Sequence, residues 1–193
     1  MIDSTDANAA RRATILESAK GVFLRYGFRK TSMDDLARAA GLSRQGLYLH
    51  FATKDELFKA AVLNLIDTAR AAGAAALAQD GAIETRLLAA FEAMHGHAVG
   101  QPASEHMAEL LATTQQILGN IFAETESGFV ADVARALRNS GVAAAWKDLG
   151  LSAKDLAEHL HATSYGIKHR VATAAEYREQ MWIAVRIVCR GAA

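Results

Sequence analysis

The stretch SMDDLARAAGLSRQGLYLHF, Ser32 to Phe51, contains two short helix signals separated by one turn signal. Ser32, followed three residues later by Asp35, is typical of a capping box, in which two side chains satisfy backbone amides at the start of a helix. Gly41 ends this first segment, and Ser43 is placed to cap a second one, RQGLYLHF. Two helices joined by a glycine-containing turn predict a helix-turn-helix.

The polar side chains of the second helix have the chemistry needed to read DNA. Arg44 and Gln45 lie in its first turn, which in helix-turn-helix proteins contacts base edges in the major groove. Arginine matches the O6 and N7 acceptors of guanine, and glutamine matches the N6/N7 edge of adenine. Tyr48, His50 and Lys54 follow, with groups that bind phosphates.

The backbone of this stretch adds two further predictions. Gly46 is unfavourable inside a helix by roughly 1 kcal/mol relative to alanine, and its missing side chain lets the helix axis approach a duplex closely. The amides at the start of the preceding helix, near Met33, offer a phosphate site. We therefore predict a surface for double-stranded operator DNA that consists of Met33, Ser43, Arg44, Gln45, Gly46, Tyr48, His50 and Lys54.

Composition predicts an all-α fold and an intracellular location. The 193 residues are 51% hydrophobic, with one proline, many alanines and no runs of alternating β-branched residues. The single cysteine, Cys189, excludes an internal disulfide and fits a reducing compartment. The N-terminus MIDSTDANAA does not resemble a signal peptide, and we expect no apolar run long enough to span a bilayer. We expect a cytoplasmic protein without a membrane partner.

Charge is distributed unevenly along the chain although the net charge is zero. Residues 1–60 contain ten Lys and Arg against seven Asp and Glu, a net charge of +3. Residues 61–193 contain eleven against fourteen, a net charge of −3. A basic N-terminal segment is consistent with an anionic partner for that segment alone.

Hydrophobic spacing and capping signals predict helices along the whole chain. Thr53 and Glu56 form a second capping box, which opens a long helix. Pro102 fits the start of a helix, and Asn139 to Gly141 fit a loop. The predicted helices cover about 9–26, from 32 for two turns, 44–51, 54–79, 82–98, 103–118, 120–139, 152–170 and 174–190.

Residues 11–60, which include LESAKGVFLRYGFRKTSMDDLARAAGLSRQGLYLHFATKDELF, closely resemble the DNA-binding domain of the tetracycline-repressor (TetR/AcrR) family. Two residues differ from the family pattern. Gly46 stands where a small hydroxyl residue is common, and Leu49 stands where an aromatic residue is common. The matching residues are Gly27, Thr31, Leu36, Ala37, Ala40, Gly41, Leu42, Ser43, Leu47, Tyr48, His50, Phe51, Lys54 and Leu57.

The resemblance implies a homodimeric transcription regulator, most simply a repressor that a small ligand releases from DNA, and no enzyme. It implies a helix-turn-helix domain over residues 1–56 and a larger helical effector-binding and dimerisation domain over 57–193. The last helix, EYREQMWIAVRIVC, is apolar on more than one side, so one side can face a partner subunit. The predicted dimer interface consists of Leu156, Leu160, Ile167, Met181, Val185 and Val188.

Bulky apolar residues and a few polar ones in the central helices could line an effector pocket. We expect no cofactor or metal, and a small apolar or aromatic effector. The predicted pocket residues are Phe91, Met94, His95, Met107, Phe122, Phe129, Trp146, His161 and Tyr165, with His97 and His106 as further polar candidates.

The histidines leave room for two alternatives. Glu92 with His95, and Glu158 with His161, both fit Glu-x-x-His, and two such motifs with a lone glutamate from each of two other helices form a di-iron carboxylate site. Glu109, Glu124 or Glu126 could provide one lone glutamate, while a second is not evident. A metal-sensing regulator is the other alternative. No nucleophile constellation, phosphate loop or zinc finger is present in the sequence.

Overall fold

The computed structural model describes residues 4–96, 99 and 105–190, and this part of the chain contains helices and no β-strand, which confirms the all-α prediction. Pro102 and His97 lie outside the described residues. The helices are α1 (Ser4–Tyr26), α2 (Met33–Ala39), α3 (Arg44–Tyr48), α4 (Lys54–Ala78), α5 (Ile83–Met94), α6 (Met107–Leu118), α7 (Ile121–Asn139), a 3₁₀ helix (Val142–Leu149), α8 (Ala153–Lys168) and α9 (Ala174–Cys189).

The chain divides into two compact units, residues 1–66 with 103–121, and residues 67–102 with 122–193. The predicted boundary after residue 56 falls inside α4, and α6 belongs to the first unit instead of the second. Two contacts explain the position of α6. Glu109 Oε1 accepts a hydrogen bond from the backbone N–H of Arg29 at 2.7 Å. Leu110 is buried in the core of the first unit.

The first unit is built on the three N-terminal helices and the start of α4. Phe23, Phe28 and Phe58 pack edge to face or stacked, and the Phe23–Phe58 and Phe28–Phe58 ring centroids lie 5.1 and 5.0 Å apart. The buried apolar residues of this core are Ile15, Leu16, Ala19, Phe23, Leu36, Ala37, Leu47, Phe51, Leu57, Phe58, Ala61 and Leu110.

Local capping determines the ends of the two short helices, as the sequence predicts. The Ser32 N–H donates to Asp35 Oδ2 at 3.0 Å, and the Asp35 N–H donates to Ser32 Oγ at 3.2 Å. Hydrogen bonds from Ser32 hold the pKa of Asp35 below its usual value, so the box retains its charge. Gly41 has φ of +66° in the turn between α2 and α3, a conformation that favours glycine.

The second unit is formed around α5, α7, α8 and α9. Helix α9 packs against both α5 and α8. Phe91, Leu137, Leu160, Tyr177 and Met181 are fully buried in its core. The 3₁₀ helix was not predicted, because its sequence VAAAWKDL lacks an N-cap side chain; it begins after Gly141 and ends before Gly150, both with positive φ.

Helix α4 is long and apolar enough, by length and composition, to span a membrane, so the prediction that no apolar run reaches that length is wrong. The core helix of a soluble protein passes the same test. Leu57, Phe58 and Ala61 of α4 are buried in the core of the first unit, and Ala76 and Leu77 in the core of the second.

Candidate functional site

Helix α3 is anchored by Leu47, which is completely buried, while most of the polar side chains predicted to meet DNA are exposed. Arg44, Gln45 and Tyr48 lie on the solvent side of the helix. His50 is half-buried at the end of the helix, where its carbonyl oxygen accepts a hydrogen bond from Arg12 Nη1 at 3.5 Å. The helix-turn-helix therefore presents one polar face to solvent and one apolar face to its own core.

Arg44 is held within the helix-turn-helix. Its Nη1 lies 3.2 Å from Asp34 Oδ2 on α2, and its guanidinium carbon lies 5.6 Å from the centre of the Tyr48 ring. A hydrogen bond with Tyr48, followed by the charge of Asp34, raises the pKa of Arg44 above its usual value. Both ion-pair partners are exposed, so the pair is weak and a guanine can compete for the guanidinium. Asp34 was not singled out in the sequence.

Gly46 has a local structural reason in addition to the predicted close approach to DNA. Ser43 Oγ accepts a hydrogen bond from the Gly46 N–H at 3.0 Å, which is the N-cap of α3. A Cβ atom at position 46 would lie 3.2 Å from that hydroxyl oxygen. The cap would have to shift slightly to admit any side chain.

Lys54 performs a structural role that the sequence did not reveal. Its Nζ donates hydrogen bonds to the carbonyl oxygens of Phe28 at 2.9 Å and Thr31 at 3.0 Å. The same nitrogen lies 4.3 Å from the centre of the Phe28 ring. Lys54 therefore ties the start of α4 to the loop between α1 and α2. Met33 is half-buried against the same core, and the phosphate contacts predicted at Met33 and Lys54 stay predictions.

Comparison with known proteins assigns this helix-turn-helix to a family. The family model described as "Bacterial regulatory proteins, tetR family" matches residues 15–61. An HTH-type transcriptional repressor of Mycobacterium tuberculosis is 43% identical over 72 residues, 37% of both chains. The N-terminal helix-turn-helix of this chain is a tetR-family domain.

Solved structures extend the likeness of fold over nearly the whole chain. A Mesorhizobium loti protein assigned to the family has a TM-score of 0.68 at 20% identity, and the match covers 94% of this chain and 96% of the other. The SmeT–triclosan complex has a TM-score of 0.62 at 20% identity and covers 94% and 90%. The chain spans less than half the length of the curated relatives it matches. Outside the N-terminal region, the comparisons therefore establish the fold alone.

The second unit brings together five of the predicted pocket residues. The ring centroids of Phe91 and Phe129 lie 5.1 Å apart, edge to face, and the ring centroids of His95 and Phe129 lie 6.3 Å apart. Met94 packs near Gly73 of α4. The His95 and His161 rings lie 5.4 Å apart. These five residues therefore lie together in one cluster of the second unit.

Four other predicted pocket residues lie elsewhere. Met107 lies in the first unit. Phe122 is exposed on α7, and Tyr165 is exposed on α8 against His169, with ring centroids 4.6 Å apart. Trp146 Nε1 donates to the carbonyl oxygen of Val188 at 2.8 Å, beside the end of α9. His106, the other described polar candidate, lies in the first unit near Gly27.

A chain of hydrogen bonds runs through the interior cluster. Tyr177 Oη donates to the carbonyl oxygen of Phe91 at 3.2 Å, and Ser164 Oγ lies 2.6 Å from Tyr177 Oη. His95 Nδ1 lies 2.7 Å from Ser164 Oγ. Because a carbonyl can only accept and each hydroxyl has one proton, Ser164 donates to Tyr177, and His95 donates through Nδ1. Each hydrogen bond in this series therefore has a defined donor, from His95 through Ser164 and Tyr177 to the Phe91 carbonyl.

Neither Ser164 nor Tyr177 was predicted as a site residue. Ser164 follows Leu160 by four residues and precedes Ile167 by three, so it occupies the buried face of α8, where a polar residue is a detectable signal. His161 Nε2 is buried and has no hydrogen-bond partner in the part of the chain that the structure describes. A buried polar atom without a partner is uncommon, so this nitrogen is a candidate for a contact with a bound water or a ligand.

The predicted dimer interface is wrong in its residues. Leu156, Leu160, Ile167, Met181, Val185 and Val188 are all buried in the core of the second unit, none more than 4% exposed. The same two helices expose different apolar residues, Tyr165 on α8 and Ile183 and Ile187 on α9, at 48%, 55% and 58%. Helix α9 does have two apolar sides, but the prediction assigned the inner one to the partner.

The two Glu-x-x-His motifs do not converge on a metal site. Both oxygens of Glu92 bind Arg178 Nη1, at 2.7 and 2.6 Å, and Glu158 is exposed, with Lys154 Nζ 3.5 Å away. Among the described residues, no three His, Cys, Asp or Glu side chains group together closely enough to bind a metal ion. The di-iron and metal-sensing alternatives gain no support from this arrangement.

Proposed function

We propose that the protein is a sequence-specific DNA-binding transcriptional regulator that acts as a homodimer and is released from its operator by a small molecule. The observation that carries the proposal is the exposed face of α3, held by the Ser43 cap within a helix-turn-helix of the tetR family. The M. tuberculosis relative, which matches at this segment, is described as a repressor. Repression is therefore the simplest mode of action.

A homodimer is proposed because a single recognition helix contacts few base pairs. Two helices spaced roughly 34–36 Å apart would read successive major grooves on one side of the duplex. The apolar residues Tyr165, Ile183 and Ile187 support α8 and α9 as the dimer surface, since exposed large apolar side chains on neighbouring helices mark interfaces. Gly166, exposed beside Tyr165, permits close approach of a partner helix.

The effector site is proposed in the interior of the second unit. Phe91, Phe129 and Met94 provide apolar surface there, and His161 Nε2 is the polar atom that lacks a partner. An apolar or aromatic molecule with one hydrogen-bonding group matches this combination. Triclosan, found in the complex of a structural relative, has that character, and the same chemistry is proposed for this protein's effector. A ligand that binds better to a conformation unable to span two half-sites would shift the population off the DNA.

The decisive experiment is selection of bound duplexes from a random pool with the full chain, followed by footprinting. A palindromic site protected by two protomers is expected. Affinity for that site should exceed affinity for random duplex by at least about 10³ and should fall with salt. Retention of all duplexes with equal affinity, or of none, would refute the proposed function.

The proposed effector site is tested separately, with para-alkylphenols as probes and the matching alkylbenzenes as controls. The phenols should stabilise the protein against heat and release it from the selected operator more effectively than the alkylbenzenes. His161→Phe should remove the difference between the two series, because the phenol hydroxyl loses its partner. If neither series binds, or if the variant retains the difference, the proposed site is wrong.

A further inference from the structure

We propose that Gln45 and Leu49 act together as a base-reading pair at the centre of the outer face of α3, with Gln45 on an adenine and Leu49 on the 5-methyl group of a nearby thymine. This inference rests on the proposed DNA-binding function and specifies what the operator must contain. Leu49 was not among the residues predicted to bind DNA. The kind of contact that Leu49 can make with DNA is nevertheless clear, because a leucine side chain can make only apolar contacts.

The helical geometry of α3 places these two residues at the centre of its outer face. Successive residues are rotated by roughly 100°, so Gln45 and Leu49 each lie about 160° from Leu47, on either side of the direction that points away from the core. Leu47 is completely buried, whereas Leu49 is 83% exposed. Leu49 still continues the helix, with φ −69° and ψ −20° and its N–H bonded to Gln45 O at 3.3 Å.

Arg44 and Tyr48 lie to one side of this centre. By the same rotation, Arg44 is only about 60° from the buried Leu47. The ion pair with Asp34 and the contact with Tyr48 hold it there. Gln45, in contrast, has no side-chain hydrogen bond to any residue that the structure describes. At the centre of the outer face of α3, the Gln45 amide and the Leu49 side chain are the groups without a side-chain hydrogen bond or ion pair to a described residue.

The chemistry of the two side chains then determines what each one reads. A glutamine amide matches the N6 and N7 atoms of adenine in the major groove. The thymine methyl is the apolar group on the major-groove base edges, and leucine cannot bind a phosphate because it has no donor. Four helical residues span about 6 Å, which corresponds to about two base pairs. The adenine and the thymine methyl should therefore lie within about two base pairs of each other.

The test uses the operator obtained by selection with the full-length protein. Each thymine of the half-site is replaced symmetrically by deoxyuridine, which removes one methyl group and leaves base pairing intact. Wild-type protein should lose about fourfold in affinity per half-site at one position and little elsewhere. In Leu49→Ala, the penalty at that position should disappear. Leu65→Ala, which shortens an exposed leucine of α4, should retain the full penalty.

Three outcomes would overturn the pairing. The wild type could be indifferent to every deoxyuridine, the penalty could persist in Leu49→Ala, or Leu49→Ala could weaken binding to all duplexes equally, as a sugar contact would. In each of these outcomes sequence-specific binding survives, so the proposed function stands. Loss of specific binding by the wild type itself would refute the proposed function, and the pairing with it.

Discussion

The hydroxyl groups of Ser164 and Tyr177 lie 2.6 Å apart, and Tyr177 joins α9 to the last turn of α5 through the Phe91 carbonyl. Tyr177 is fully buried, and this burial raises the pKa of Tyr177 to about 12. A protonated hydroxyl is required in this position, since only then can it donate to a carbonyl oxygen. The same bond orders the proton positions as far as His95.

Tyr177→Phe should lower the free energy of unfolding by about 1–3 kcal/mol at pH 7, because the Phe91 carbonyl and the Ser164 hydroxyl both lose a partner. Denaturant titration of the variant measures this loss. An unchanged free energy of unfolding would show that the buried hydrogen bonds of Tyr177 contribute nothing to stability.

The pH dependence of stability gives a second observable for the same residue. Native protein retains the Tyr177 proton to about pH 12, whereas an unfolded chain loses it near pH 10. The native state therefore binds more protons in this window, and stability should fall as pH rises from about 10 to about 12. Tyr177→Phe should reduce this slope. Cys189, whose pKa burial also raises to about 12, should account for part of the slope that remains.

If the protein forms the proposed dimer through α8 and α9, Ile183→Glu should make it a monomer without unfolding it. The residue is 55% exposed on α9, so the carboxylate is solvated in the monomer and buried only in a dimer. Val185→Glu is the matched contrast two residues away: Val185 is fully buried, and a carboxylate there should unfold the second unit. Sedimentation and circular dichroism separate the two results. A folded, dimeric Ile183→Glu protein with full operator affinity would place the interface elsewhere.

Arg44→Ala should weaken operator binding by about 1–3 kcal/mol and relax preference at one symmetric pair of positions, if the guanidinium leaves Asp34 for a guanine. Competition binding against operators altered at single positions measures both effects. Asp34→Asn, the control, removes the competing charge and should retain the preference. Equal weakening on every sequence would instead assign Arg44 to a phosphate.

Lys54→Met should destabilise the protein by about 1–3 kcal/mol, because two carbonyl oxygens lose their donor and the Phe28 ring loses its cation. The exposed Lys30→Met is a control for the loss of one positive charge. The salt dependence of DNA binding distinguishes the two roles of Lys54. A slope that falls by about one in Lys54→Met but not in the control would indicate a phosphate contact.

Purified protein should contain no stoichiometric iron, and the double variant Glu92→Ala, Glu158→Ala should bind the operator as the wild type does. The reason is that Glu92 is committed to Arg178 and Glu158 is exposed. Elemental analysis and operator titration provide the measurements. Two irons per chain that disappear in the double variant would contradict a purely regulatory role.

Features with local causes could be predicted from the residue types alone. The Ser32 box, the Ser43 cap and the Gly41 turn each depend on atoms three residues apart or fewer, so their residue types were sufficient to predict the helix-turn-helix. For helix α9, the residue types were not sufficient to predict which side faces the core. Its sequence shows two apolar sides, but only the packing of α5 and α8 decides that Val185 faces inward and Ile183 outward.

Roles that depend on distant partners become visible only in the packed fold. Lys54 meets carbonyl oxygens 23 and 26 residues away, and Glu109 binds a backbone amide 80 residues away. His95 and Ser164 are 69 residues apart in the chain. No periodicity or motif encodes such distances, because each contact forms only when separate helices pack and the groups they bury need hydrogen-bond partners.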